Sequence, residues 1–286
     1  MRKILVATML VFSFALLAAC GSTGEDTLAR VKEDGVVKIG FANEKPYAYE
    51  EDGELKGAAV DIAKAVFKEL GIDDIDPHLA DFSDLIAGLD AGRFDVVTAG
   101  MAINGDRCEN VLFGEPEMKY GEGLIVPKGN PLNLHSYEDI ANNPDVTISI
   151  MQGGTEIGFV KEKGVQEGQI KTAPDIPATF SDVQSGRADV TTATEMTLKM
   201  ALLSADTDEL EFVEDFVQPE VEGNPSYGAA AFRQSDKNFV EEYNKALQKL
   251  KDDGTVAKLL EENHFHPENN FPEAEVTTEK VCKGEY

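Results

Sequence analysis

Residues 36–70 read VVKIGFANEKPYAYEEDGELKGAAVDIAKAVFKEL. Val36-Val37-Lys38-Ile39-Gly40-Phe41 is a β-rich run and predicts a strand. Tyr47-Ala48-Tyr49 and Glu54-Leu55-Lys56 flank Asp52-Gly53, a dipeptide suited to a two-residue turn, and predict a hairpin. Beyond it, apolar side chains at 60, 62, 63, 66, 67 and 70 fall on one helix face, with Gly71 as C-cap. Strand, hairpin and helix in this order open an α/β layer with mostly parallel strands.

The alternation continues. Ser83 is expected to cap a helix over 83–91, and Phe94-Asp95-Val96-Val97 to form the next strand. A second set begins near residue 128. Ser136 caps a short helix, 146–150 is a strand, and Gly153-Gly154-Thr155 opens another helix. Ala188-Asp189-Val190 is a strand, 195–203 a helix, Ala229-Ala230-Ala231-Phe232 a strand, and 235–251 a long amphipathic helix. Leu89-Asp90-Ala91-Gly92-Arg93-Phe94-Asp95-Val96 and Val183-Gln184-Ser185-Gly186-Arg187-Ala188-Asp189-Val190 share a helix end, Gly-Arg and a strand entered through Asp-Val. Two similar lobes would each carry such a corner; chance likeness at helix ends is the alternative.

The 286 residues suffice for two domains, and 42% hydrophobic side chains can fill their cores. Acidic residues number 53 against 26 basic, a formal charge of −27, the wrong sign for a nucleic-acid binder. One segment alone is apolar enough to enter a membrane, and it is N-terminal. Arg2 and Lys3 precede an apolar run over 4–17, the pattern of an export signal. The run ends in Leu17-Ala18-Ala19-Cys20-Gly21, which looks like a bacterial lipobox, with 1–19 as signal peptide, lipid on Cys20 and a small polar tether over 20–27. An ordinary secretory signal beside a cysteine is the alternative. Cys108 and Cys282 are then the remaining pair in an oxidising compartment, and a disulfide between them is the economical reading. His264 and His266 lack the companions of a metal motif, so no metal or cofactor is expected.

Several phrases in order carry a family resemblance. They are Gly40-Phe41-Ala42-Asn43-Glu44-Lys45-Pro46-Tyr47, Gly57-Ala58-Ala59-Val60-Asp61-Ile62-Ala63, Gly92-Arg93-Phe94-Asp95, Ala99-Gly100-Met101 leading to Arg107, and Ala231-Phe232-Arg233. Over about 28–265 the chain resembles the solute-binding proteins of polar amino-acid ABC transporters. It is most similar to the ectoine/hydroxyectoine-binding members through Phe41-Ala42-Asn43-Glu44, Asp106-Arg107-Cys108, His135-Ser136-Tyr137-Glu138-Asp139-Ile140 and Thr277-Thr278-Glu279-Lys280-Val281-Cys282. The resemblance implies a type II periplasmic-binding-protein-like α/β fold of two mixed-sheet lobes joined by two hinge strands. Lobe I would span 28–126 and 228–286 and lobe II 127–227, with hinges near 123–127 and 227–231. Ligand is held between the lobes, and closure signals to permease subunits. A monomer, exported and lipid-anchored on the outer face of a bacterial cytoplasmic membrane, is expected.

The resemblance also implies a site. Arg107 stands where the family keeps its carboxylate-binding arginine, whose planar fork matches a carboxylate. Gly153, Gly154 and Thr155 would bring backbone N–H groups to the same carboxylate. Tyr47 and Phe82 fall where the ectoine binders place two aromatic walls, and Glu44 where they place a carboxylate for the ring's protonated nitrogens. Each has a bland alternative: a solvated turn for Arg107, a plain turn for the glycines, a loop for Glu44 and Tyr47, core packing for Phe82. Gly100 belongs to the same strip.

Two positions depart from the family. Ala102 replaces the hydroxyl of amino-acid binders and the third aromatic of ectoine binders; a bulkier ligand or Tyr227 reaching in would fill the gap. Thr194 replaces the aspartate that meets an α-ammonium group, and a buried ammonium without a counter-charge is costly. Glu195 would substitute only after a slight rotation of its helix. The expected function is capture of a small zwitterion, ectoine or hydroxyectoine. A polar amino acid is the alternative, and a periplasmic dehydratase on the same fold is the enzyme reading. Glu44 is the sole obvious acid–base candidate, no histidine falls in the suspected site, and no nucleophile or phosphate motif occurs, so a binding protein is favoured over an enzyme.

Overall fold

The computed structural model describes residues 26–205 and 207–286. The expected leader, Cys20 and most of the tether lie outside the described residues.

Val36–Phe41 forms the expected strand, with Val37, Ile39 and Phe41 buried. It pairs in parallel with Asp74–Leu79 on one side and Val96–Val97 on the other. A parallel neighbour needs a crossover, and the helix Ala58–Glu69 supplies it, burying Val60, Ile62, Ala63, Val66 and Phe67. Ala231–Phe232 then runs antiparallel between Val96–Val97 and Leu112–Phe113, completing five strands. The second sheet repeats this plan. Ile148–Met151 pairs in parallel with Ile170–Ala173 and Val190–Thr194, and Glu122–Pro127 runs antiparallel between Val190–Thr194 and Leu210–Phe212.

The two Gly-Arg corners occupy equivalent places in these sheets. Gly92 and Gly186 turn the chain with φ of 68° and 69°. Asp95 then exchanges two hydrogen bonds with the Lys38 backbone: its amide donates to the carbonyl at 2.8 Å, and its carboxylate accepts from the amide at 3.1 Å. Asp189 does the same with Thr147, at 2.9 and 2.7 Å. The likeness therefore reflects two lobes built alike rather than chance at helix ends.

Met118–Tyr120 pairs antiparallel with Ser226–Gly228, forming the ribbon through which the chain leaves the first sheet and returns. The outgoing crossing lies before 123–127, because Glu122–Pro127 is already a central strand of the second sheet. Its buried apolar run reads the same in either lobe, so the sequence carries no mark of the change. The helix expected from Ser83 also differs. Phe82–Asp84 is a 3₁₀ turn, the α-helix spans Leu85–Asp90, and neither start has a side-chain cap.

The helix Lys237–Asp252 lays Phe239, Tyr243, Ala246, Leu247 and Leu250 on one buried stripe. Phe239 and Tyr243 meet Phe232 with ring centroids 5.2 Å apart. Truncating Leu247, which is fully buried, to alanine would cost about 2–5 kcal/mol. Among the described residues no helix is long and apolar enough to cross a membrane.

Candidate ligand-binding site

The site lies where the lobes meet. From the first lobe, the segment after Val36–Phe41 folds back on itself: the Glu44 amide donates to the Ala48 carbonyl at 2.9 Å, and the Tyr47 amide to the Glu44 carbonyl at 3.0 Å. This fixes the Glu44 and Tyr47 side chains, both buried, toward the second lobe. Tyr47 also needs Gly100, where an added Cβ would come 2.4 Å from the ring.

Arg107 sits on the short helix Gly105–Cys108, capped by the Asn104 side chain, which accepts from the Arg107 amide at 2.9 Å. Its guanidinium donates to the Ala102 carbonyl at 2.7 Å and, across the cleft, to the Gly153 carbonyl at 2.8 Å. It lies 5.4 Å from the centre of the Phe82 ring. Its hydrogen bonds thus go to carbonyls, and among the described residues no carboxylate is hydrogen-bonded to it. Loss of surrounding water holds its pKa below the usual arginine range.

The second lobe answers with hydroxyls. Thr194 Oγ1 and Tyr47 Oη share a hydrogen bond of 2.8 Å, and Thr197 Oγ1 donates to Glu44 Oε1 at 2.6 Å. Burial pushes the Glu44 carboxyl up to about 7, against the Thr197 hydrogen bond that favours its charged form. Burial likewise raises Tyr47 and Tyr120 well above the ordinary phenol value.

A cavity of about 30 Å³ remains between these walls. Glu44, Tyr47, Phe82, Gly100, Ala102, Arg107, Gly154, Thr155 and Thr194 all line it. The lobes are closed on each other, and this space suits about one water molecule, so a solute enters only when they part. A groove of about 570 Å³ opens outside Arg107, bordered by Ala102, Gly153, Thr155, Glu222 and Tyr286.

Glu195 does not join the group. Its carboxylate pairs with Lys199 one helical turn on and is half-exposed, because the helix Glu195–Ala205 turns its first side chain outward. Tyr227 does not reach in either. Its hydroxyl donates to Glu273 at 2.8 Å, and its ring meets Tyr286 edge-on. Tyr120 lines the cavity in its place, its hydroxyl donating to the Gly100 carbonyl at 2.6 Å. Of the amides expected to face a ligand, that of Gly154 is taken: it donates to Met151 O at 3.1 Å.

Met151, Tyr120 and Glu156 are lining residues that sequence reasoning missed. An acid in the first turn of a helix reads as an ordinary response to the helix dipole, so Glu156 carried no distinguishing signal. Cys108 and Cys282 are joined, with Cα atoms 6.0 Å apart, tying the helix Thr278–Cys282 beside Arg107's helix. Among the described residues no three His, Cys, Asp or Glu side chains are placed to hold a metal ion.

Comparison with known proteins agrees with this geometry. The profile of the bacterial extracellular solute-binding proteins, family 3, matches residues 37–266. A probable amino-acid ABC transporter periplasmic-binding protein, y4tE of Sinorhizobium fredii, is 36% identical over 94% of this chain and 90% of its own length. The crystal structure of EhuB in complex with hydroxyectoine superposes with a TM-score of 0.81 at 35% identity, over 90% of this chain and 99% of that one. An ancestral arginine-binding protein bound to arginine gives a TM-score of 0.70 at 27% identity, over 80% and 97%. With its two mixed-sheet lobes and the cleft between them, this chain belongs to the bacterial extracellular solute-binding proteins of family 3.

Proposed function

We propose that the protein is the substrate-binding component of an amino-acid-type ABC importer, and that it captures a small zwitterion of the ectoine or hydroxyectoine kind. The observation that carries this reading is Arg107. Its cation is stacked on Phe82, spent on carbonyls rather than a carboxylate, and set beside Glu44 on the same wall. A buried charge of this kind is stabilised when it is paired. A ligand carboxylate on Arg107 and a delocalised cation against Glu44, Tyr47 and Phe82 would match both ends. Tyr120 supports the reading by supplying an aromatic wall beside Ala102. The likeness to EhuB and y4tE supports the solute class and the transport role.

Because the cavity is also lined from the second lobe, by Gly154, Thr155 and Thr194, ligand favours the closed form, which would dock on the permease. The role is binding rather than catalysis: no histidine lines the cleft, and its titratable groups face one another and Arg107. We further propose that the mature protein is exported and held to the membrane by lipid on Cys20.

A thermal-unfolding screen against ectoine, hydroxyectoine, glycine betaine and the polar amino acids tests this. A ligand at 100 times its Kd adds about 2.7 kcal/mol, a midpoint rise of roughly 5–10 °C. A rise with ectoine or hydroxyectoine is expected; a rise with amino acids alone overturns the ligand assignment.

A further inference from the structure

Beneath the cleft lies a pair of carboxyls that the reading above does not use. Glu156 and Glu122, both from the second lobe, are 7% and 1% exposed. Glu156 lines the same cavity as Glu44, Arg107 and Thr194. No hydroxyl, amide or cationic donor among the described residues reaches either Glu122 oxygen. A carboxyl buried this deeply, with no donor at either oxygen, is held in its protonated form, and the negative charge of Glu156 pushes it the same way. The Glu156 carboxylate also requires Gly154, where an added Cβ would come 2.3 Å from Oε2. The charged and titratable groups facing the pair are Glu44, Tyr47 and Arg107 from the first lobe, Tyr120 from the hinge ribbon, and Tyr137 from the helix Tyr137–Ala141.

We propose that Glu156 is a second specificity-determining carboxylate for the ligand's cation, seated against Gly154 at the cavity wall, and that it selects a cation bearing N–H groups on two sides. This rests on the reading of the cleft as a site for a carboxylate-bearing solute. The charges decide it. With Glu122 protonated, Arg107 faces two carboxylates, Glu44 and Glu156. A ligand carboxylate satisfies Arg107 and leaves both acids to the ligand's positive end. An amidinium or guanidinium offers separate N–H donors to each. A quaternary ammonium offers none, and would leave two buried carboxylates without donors, which is costly. Glu156 also supplies the counter-charge that Thr194 lacks, from the first turn of the helix Glu156–Glu162 in the same lobe.

Calorimetric titration of the whole protein with ectoine (a cyclic amidinium), L-arginine (a guanidinium) and glycine betaine (no N–H) at pH 6, 7 and 8 tests this. The wild type should prefer ectoine or arginine over betaine by at least about ten-fold, with affinity rising from pH 6 to 8 as the acids ionise. Glu156→Gln, shown folded by its melting curve, should lose more than about ten-fold toward that ligand. Glu122→Gln, which cannot add a second negative charge beside Glu156, should move the rise to lower pH. Betaine bound as tightly as ectoine, or a folded Glu156→Gln with undiminished affinity, overturns this inference and leaves the solute-binding reading standing. A pH profile identical in Glu122→Gln and wild type overturns it even if Glu156→Gln fails to fold. Silence of the wild type toward all three overturns both.

Discussion

Thr197 of the second lobe donates its hydroxyl hydrogen to Glu44 Oε1 of the first, over 2.6 Å, and so closes the cleft on the acid that faces it. Neither residue is near the other in the chain, and both are buried. The closed form is thereby held by groups that also line or support the site, Tyr47 with Thr194 among them. Ligand and latch therefore act on one equilibrium.

Thr197→Val removes the donor and leaves a carboxylate oxygen unsatisfied when the lobes close. The cost, about 1–3 kcal/mol, shifts the ligand-free protein toward the open form by roughly five-fold or more. Small-angle scattering should show a larger radius of gyration than the wild type; an unchanged radius contradicts the latch.

Stability should depend on pH through an acid far from the ligand. Glu117 is fully buried, accepts from Tyr243 Oη at 2.6 Å, and is pushed up to about 7 by burial from an ordinary 4.5. A carboxyl whose pKa is raised by folding stabilises fully below its unfolded value and loses that stabilisation as pH rises through its folded value. The window is thus about 4.5 to 7, and the loss about 3 kcal/mol. Glu44 acts with the same sign. Glu117→Gln should flatten the fall in melting temperature between pH 5 and 8 while Glu44 keeps part of it. Identical slopes in variant and wild type would count against the assignment.

The disulfide between Cys108 and Cys282 closes a separation of 174 residues. The chain-entropy relation gives about 5 kcal/mol for such a loop, an upper figure. Cys282→Ser should lower the melting temperature by roughly 5–15 °C. A shift of under a degree would show that the C-terminal helix is held by packing alone.

What could be read beforehand divides along physical lines. Strand Val36–Phe41 and helix Lys237–Asp252 announce themselves by their apolar spacing, and Gly92 and Gly186 by one local corner used twice. Arg107, Glu44, Tyr47 and Phe82 were legible because their order along the chain resembles a family, not because anything local marks them. Glu122 and Glu156 were not legible: one opens a strand and the other a helix of the second lobe, 34 residues apart, and only the folded sheet brings them near each other. Glu195 misled for the opposite reason. It is next to Thr194 in sequence, yet one helical position turns it to solvent.

The charge of −27 on this chain implies self-repulsion that salt should relieve. The melting temperature should rise between low and molar sodium chloride. A flat response would mean that the acidic side chains are too dispersed, or too well paired, to strain the fold.

Titration of wild type and Arg107→Ala side by side with ectoine or hydroxyectoine is the most direct test of a carboxylate-bearing solute held between the lobes. The wild type should bind one ligand per chain, and Arg107→Ala, folded to the same melting curve without ligand, should bind more than ten-fold more weakly. Equal affinity in the two proteins would place the ligand's carboxylate elsewhere and contradict the site.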